Sequence, residues 1–275
     1  MRINRPAFSA NMKGRHLILA IAVTVLSGCA ATPKVPAGQK ENYPGLIKDS
    51  TDRRARAETE WRRMLEAYSV PQTPPDFYPI TYTPRSLLGV SGGIKIAPQL
   101  KPSEDPEALA LREVARNFIQ RWHDLIGADP SGISLASAGL SEGLRQLVYR
   151  QANYPFAVVG NYGVMTISLG PDGRVAGFDD RFIPVVDLPV RPSIERDAAV
   201  TKLVGRTLSF VDSSGRQQSL AISDRGEVSV KQLVVLPIQK GDLLEVHLAW
   251  EVIAGKAESR TVYIDAVNGE ELKLG

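Results

Sequence analysis

Leu111-Arg112-Glu113-Val114-Ala115-Arg116-Asn117-Phe118-Ile119-Gln120-Arg121-Trp122-His123-Asp124-Leu125-Ile126-Gly127 is the stretch on which the reading of the fold turns. Leu111, Ala115, Phe118, Trp122 and Leu125 fall on one face at helical spacing, and Val114, Ile119 and Ile126 widen that apolar stripe. The pattern predicts a helix over 104–126, with Ser103 as its cap and Gly127 as its stop.

Beyond Gly127 the period changes to two. Residues 144–151, 162–169 and 174–183 read as strands, and Pro171-Asp172-Gly173-Arg174 makes a tight turn between the last two, with Gly173 free to take positive φ. A helix followed by an antiparallel meander is an α+β unit in which the helix covers one face of the sheet.

The order then recurs. A second helix is expected over 193–204, capped by Ser193 and turning Ile194, Ala198, Val200 or Thr201, and Leu203 inward. Strand patterns follow at 208–211, 227–237, 243–254 and 260–266, and Val267-Asn268-Gly269-Glu270 closes the last hairpin. The chain is therefore expected to be α+β, with two helix-plus-antiparallel-sheet units at 104–190 and 191–275 that suggest an internal duplication.

Residues 51–103 precede these units. Ala57, Trp61, Leu65 and Tyr68 share one face of a helix predicted over 52–68, which Pro71, Pro74 and Pro75 end. Trp61 and the surrounding arginines suit a membrane surface, whereas Glu58, Glu60 and Glu66 dilute the charge and favour docking on the protein itself. Tyr78-Pro79-Ile80-Thr81-Tyr82 and Gly93-Ile94-Lys95-Ile96 read as short edge strands. The glycines from Gly89 to Gly93 lack the spacing of a phosphate loop.

The front of the chain carries a different signal. Arg2, Arg5, Lys13 and Arg15 form a basic region without an acid, and 17–26 is a ten-residue apolar run. At about 1.5 Å per residue such a run covers only about half of a roughly 30 Å hydrocarbon core, so a spanning helix is the weaker reading. Leu26-Ser27-Gly28-Cys29 follows, with the only cysteine of the chain.

This tetrapeptide resembles a bacterial lipobox. The resemblance implies cleavage between Gly28 and Cys29, a diacylglycerol on the Cys29 sulfur and acylation of its new amino group, so that 1–28 is a signal peptide and Cys29 a membrane anchor. Ala30 stands where an Asp would mark inner-membrane retention, so the resemblance implies the outer membrane, facing the periplasm. Residues 29–50, rich in Pro, Gly, Lys and Thr, are expected to be a mobile tether.

Loss of the four basic residues ahead of Cys29 leaves 29 Lys+Arg against 30 Asp+Glu, so the net charge of +3 belongs to the signal. A near-neutral chain offers no basic face for nucleic acid. The composition, 43% hydrophobic and 23% charged, is that of an ordinary globular protein.

Arg150-Gln151-Ala152-Asn153-Tyr154-Pro155-Phe156-Ala157-Val158-Val159-Gly160, residues 164–169, Asp172-Gly173-Arg174-Val175 and the helix from Ser193 resemble the propeptide region of thermolysin-like metallopeptidases. Leu248-Ala249-Trp250-Glu251-Val252 and Thr261-Val262-Tyr263-Ile264-Asp265-Ala266-Val267-Asn268-Gly269-Glu270-Glu271-Leu272 are similar to the end of a PepSY-type repeat. The resemblance spans roughly 104–275 and implies PepSY-like, cystatin-like units that inhibit peptidases or assist their folding. Asn153-Tyr154-Pro155 departs from the family's usual Gly-x-Pro element.

No His-Glu-x-x-His occurs, the lone thiol is assigned to acylation, and a Ser/His/Asp triad would have to draw on His123 or His247. His123 and Asp124 read as surface residues, and Asp179-Asp180 as solvated beside a strand turn. No catalytic residue, cofactor or metal is expected.

The expected function is that of a noncatalytic protein-interaction module, docking its partner on a sheet edge or face. Alternatives are a lipoprotein that binds a lipid or other small molecule, and a structural subunit of an envelope assembly. Tyr149, Tyr154, Phe156, Tyr162, Phe178 and Phe182 could serve any of these, although aromatics at strand spacing are mostly core.

Overall fold

Gly45–Lys48, at the far end of the stretch expected to be a mobile tether, forms strand β1. Its alternate residues are buried, and Ile47 is 2% exposed. The tether expectation is corrected at that end: Leu46-Ile47 lies in a ladder, and the chain is already fixed by Tyr43. The computed structural model describes residues 42–87, 93–97, 109–211, 214–256 and 259–273. The expectations placed on Gly28, Cys29 and Ser103 lie outside them.

Helix α1, Thr51–Ala67, begins where the Ser50 hydroxyl accepts from the Arg53 amide. It buries Ala57, Trp61, Met64 and Leu65. The Trp61 indole is 2% exposed and donates to the Thr73 carbonyl at 2.7 Å, so this helix docks on its own protein.

Strands β2, Asp76–Phe77, and β3, Pro84–Ser86, form a small hairpin. The expected strand at 78–82 is instead the turn between them. Thr81 donates to Pro79 and Tyr82 to Tyr78, with positive φ at Ile80 and Tyr82. Alternation there reflects side chains packed around a turn. The other expected strand is reduced to a bridge between Lys95 and Arg174.

Helix α2, Leu109–Arg121, stops one residue before Trp122, and a four-residue helix α3, His123–Ile126, continues to Gly127 at φ 71°. Strand β4, Ile133–Ser141, had no counterpart in the sequence reading. It pairs with β5, Leu144–Gln151, then β6, Val164–Leu169, and β7, Val175–Asp180, follow as an antiparallel meander. Phe118, Ile119, Trp122 and Ala115 pack with Leu147, Tyr149, Met165, Ile167, Leu169 and Phe178, so the helix covers one sheet face. Trp61, Met64 and Leu65 of α1 join the same core.

Helix α4 is six residues, Arg196–Thr201, rather than the expected 193–204. The amides of Ser193 and Ile194 both donate to the Ala266 carbonyl at 2.8 Å, so this segment is tied down in a bend and Ser193 caps nothing. Strands β8, Thr207–Val211, and β9, Gln217–Ala221, make a separate hairpin. Strands β10, Val228–Lys240, β11, Leu243–Ala254, β12, Arg260–Asp265, and β13, Glu271–Leu272, complete a five-stranded sheet with β1. Ala199, Val200 and Leu203 of α4 pack on Val230, Val252 and Ile264.

The chain is thus α+β, and the order of helix followed by antiparallel strands occurs twice. A further core unites elements on both sides of residue 190: Tyr154, Val158 and Ile183 pack with Ile47, Ile80, Val235, Leu244 and Val246. All described residues belong to one compact unit. None of the described helices is long and apolar enough to cross a membrane.

Candidate functional site

The sheet edges differ in how they are finished. A β-strand at an edge presents unpaired main-chain donors and acceptors, and natural proteins protect them with cover, charge or proline. The outer edge of β7 is covered: Val175 donates to Ile94, and Ile96 and Ala97 donate to Gly173. From the β2–β3 turn, Tyr78 reaches Asp179 at 2.7 Å and Thr83 reaches the Asp180 carbonyl at 2.7 Å. The outer edge of β10 exchanges bonds with Ala157 and Val159 at Val235, and carries Lys231, Pro237 and Lys240.

Strand β4 has no cover, charge or proline, and its one irregularity is a bulge at Ala136. Its nine residues, Ile-Ser-Leu-Ala-Ser-Ala-Gly-Leu-Ser, include no charge and no proline, and no strand pairs with its outer side among the described residues. Gln151 donates to Gly163 and Ala152 to Gly132, which sets the phase of the β4–β5 ladder. In that phase Ser137, Gly139 and Ser141 bond toward β5, while the main-chain groups of Leu135, Ala138 and Leu140 point away from it. Ile133, Leu135 and Ala138 pack their side chains against the core, but Leu140 is 61% exposed. The result is a nine-residue edge with free main-chain bonding capacity and an apolar side chain at its end.

Sequence reading missed this strand because of one residue. The register slips between Leu135 and Ser137, where a bulge leaves Ala136 unpaired. Apolar residues therefore fall at 133 and 135, then at 138 and 140, which breaks a strict two-residue period. Glu142 and Gly143, both at positive φ, form the two-residue turn into β5.

The residues singled out from sequence fall elsewhere. His123 and Asp124 lie exposed on α3, with Nδ1 3.4 Å from Oδ1. Asp179 is partly buried and accepts from Tyr78 and from Arg181 at 2.9 Å. Asp180 overturns the solvated reading, being fully buried. Its Oδ1 accepts from Phe182 at 3.0 Å, Oδ2 has no partner, and burial holds the carboxyl well above the usual carboxylate range. The strand runs on beneath the β2–β3 hairpin rather than ending in a solvent turn.

His247 sits in a buried chain of polar groups. Nδ1 lies 2.7 Å from Asp265 and Nε2 3.1 Å from Glu245, which Lys240 also holds at 2.6 Å. Burial opposes ionisation of Glu245, but the bonds from Lys240 and His247 keep its carboxyl below the usual range. Both ring nitrogens are engaged by carboxylates, so neither is free to take a proton from a nucleophile. This cluster is an anchor for Tyr43 rather than a catalytic triad.

Tyr149, Tyr154, Phe178 and Phe182 are buried, and Phe156 and Tyr162 pack against the shared core. Tyr154, at the departure from the Gly-x-Pro pattern, accepts from Val186 at 3.0 Å and donates to Pro184 at 3.2 Å. It pins the segment leaving the first sheet. Among the described residues no group of His, Cys, Asp and Glu is arranged to hold a metal.

No protein-family model matches the chain, and no curated protein matches it by sequence. Among solved structures, the Bacillus megaterium YpeB C-terminal domain is similar at a TM-score of 0.35 and 16% identity, over 82% of this chain and 96% of that one.

Proposed function

We propose that this protein is a lipid-anchored envelope lipoprotein that works as a noncatalytic, PepSY-like protein-interaction module, taking an extended segment of a partner onto the outer edge of β4. The observation that carries the proposal is the edge itself, uncovered and uncharged on both sides of the bulge at Ala136. Main-chain pairing along Leu135, Ala138 and Leu140 supplies affinity, and an apolar side chain of the partner beside Leu140 supplies register. A lipid on Cys29, implied by the lipobox, confines this activity to a membrane surface, with the outer membrane facing the periplasm as its address. A peptidase is the partner class that the propeptide resemblance suggests.

A photo-crosslinking residue placed at Leu140 is expected to give a discrete adduct in cells, and one placed at Val211 of β8 is not. Both positions are exposed, at 61% and 67%. Ala138→Pro removes an outward-facing amide without touching the β5 ladder and should abolish the adduct. Equal adducts from both positions, or indifference to the proline, overturns the edge assignment. Cys29→Ser should end lipid labelling and membrane retention, and persistent labelling overturns the anchor.

A further inference from the structure

A cleft of about 440 Å³ opens between the β2–β3 turn, β3, the loop ahead of β6 and the ends of β7 and β10. Its volume lies within the range of ligand pockets. Solvent reaches the side chains that wall it: Pro79, Arg85, Asn161 and Gln239 are exposed, and Tyr78 and Tyr162 are half-buried.

The wall on the hairpin side holds a guanidinium in place. Tyr78 donates its main-chain amide to Thr83 at 2.9 Å and its hydroxyl to Asp179 at 2.7 Å, so the ring is fixed at both ends. Burial and the bond to Asp179 raise the phenol pKa above its ordinary value, which keeps that proton on the ring oxygen. The Arg85 guanidinium lies over this ring, with Cζ 4.7 Å from the centroid. Arg181 also approaches the ring, at 5.5 Å, but its charge is met by Asp179 at 2.9 Å. Arg85 has no carboxylate at ion-pair distance and no hydrogen-bond partner among the described residues, so its charge is unmatched. A guanidinium stacked on a ring keeps its N–H edge free to donate.

The facing wall offers a carboxamide and an apolar ring. Gly160 at φ 81° and Gly163 at φ 75° bracket Asn161 and Tyr162, and the Gly163 amide donates to the Arg181 carbonyl at 2.8 Å, which fixes this loop against the end of β7. The Tyr162 hydroxyl donates to Gln239 at 3.3 Å, and the Gln239 amide donates to the Gly241 carbonyl at 3.2 Å, so this ring is held as well. The Asn161 carboxamide has no partner among the described residues and presents a donor and an acceptor side by side.

We propose that this cleft takes the C-terminal residue of an extended polypeptide, its carboxylate on the Arg85 guanidinium, its main-chain amide group on the Asn161 carboxamide and its side chain against Tyr162 and Pro79. A planar two-oxygen anion matches the fork of a guanidinium. A carboxamide pairs with a peptide group through one donor and one acceptor, which favours a peptide terminus over an inorganic anion. Stacking on Tyr78 orders the arginine before binding, so little rotamer freedom is lost when the carboxylate arrives. The β4 edge contributes no residue to the cleft, so failure of either reading leaves the other standing.

An NMR titration with N-acetyl-alanyl-alanyl-leucine, read at the Asn161 side-chain amide and the Arg85 Nε–H, is the direct test, alongside the C-terminal amide of the same peptide, acetate and inorganic phosphate. The free acid is expected to bind and to move both signals. The amide lacks the anion, and acetate and phosphate lack the peptide group, so each should bind at least about ten-fold more weakly. Arg85→Gln should weaken the free acid about ten-fold, the loss of one charge-assisted contact. Asn161→Ala should weaken the free acid about five-fold and leave acetate unchanged, the loss of neutral hydrogen bonds. Both side chains are exposed and neither makes a described hydrogen bond, so the variants keep the fold, and an unchanged circular dichroism spectrum verifies this. No shift with the free acid, equal binding of the amide or of phosphate, or an Arg85→Gln variant that binds as wild type does, each overturns the proposal. An Asn161→Ala variant with wild-type affinity for the free acid overturns the assignment to a peptide.

Discussion

Tyr43 donates its hydroxyl proton to Asp265 at 2.7 Å across 222 positions of sequence. The same Asp265 oxygen meets His247 Nδ1 at 2.7 Å, while Oδ1 accepts the amides of Val267 and Asn268. The Tyr43 oxygen also accepts the Leu248 amide at 3.1 Å. β1 pairs with 243–246 of β11 and β12 with 249–254, on the same side of β11, so the phenol fills the gap between two strands placed end to end.

Tyr43→Phe removes these bonds while keeping the ring. It leaves an acceptor on Asp265 and a buried amide on Leu248 unmet, at about 1–3 kcal/mol. Denaturant unfolding should show that loss, and hydrogen exchange should accelerate at 45–48 but not in β5 or β6. Unchanged exchange in β1 would refute the anchoring role. Burial, followed by the charge of Asp265, raises the Tyr43 phenol far above its ordinary value, so the donor persists across physiological pH.

Asp180 predicts a pH dependence of stability. Its folded-state carboxyl lies well above the unfolded value near 3.8, chiefly through burial. Between the two values the folded chain binds more protons than the unfolded one, so stability falls as pH rises. The contribution is complete below the unfolded value and lost as pH climbs through the folded one. Asp180→Asn removes this slope. Unfolding measured at pH 4 and pH 8 should show the variant gaining relative to wild type at the higher pH; a constant difference would sink the argument.

Two glycines at matching φ separate strain from crowding. At Gly163, φ 75°, an added Cβ would overlap the Val158 side chain, whereas at Gly143, φ 79°, it meets open space. Gly143→Ala should cost about 1–2 kcal/mol for the left-handed backbone alone. Gly163→Ala should cost about 1–3 kcal/mol more for crowding, read from paired unfolding curves.

The phase of the β4 edge can be tested with proline. Leu140→Lys alters an exposed side chain and should change stability by less than about 0.5 kcal/mol, while Ala138→Pro removes only an outward-facing amide and should cost less than proline at 139. Gly139→Pro deletes an amide that bonds to β5, and it should cost about 1–3 kcal/mol. Equal costs at 138 and 139 would show that the register is other than described.

The first helix-and-meander unit was legible where one face faces one core. The stripe from Leu111 to Leu125 and the alternation of β5 to β7 each report a single buried side, and Gly173 at φ 79° lies in the turn its sequence indicates. Apart from β4, hidden by its bulge at Ala136, what escaped were features set by partners distant in sequence. Ser193 looks like a cap until the Ala266 carbonyl claims its amide. Leu46-Ile47 looks like part of a linker until β11 supplies a ladder. Asp180 looks solvated until the hairpin at 76–86 lies over it.

The placement of β1 has a mechanical consequence. Tension on the chain ahead of Tyr43 does not load the sheets as a whole; it arrives at one phenol and a four-residue ladder. These form a catch in front of α1, whose Trp61 and Leu65 are seated in the main core. Releasing 43–48 adds roughly 20 Å of slack, while α1, the four-stranded sheet and the remaining four strands of the other sheet stay folded. A pull on the chain ahead of Tyr43 is then met first by a lengthening leash and only afterwards by the fold.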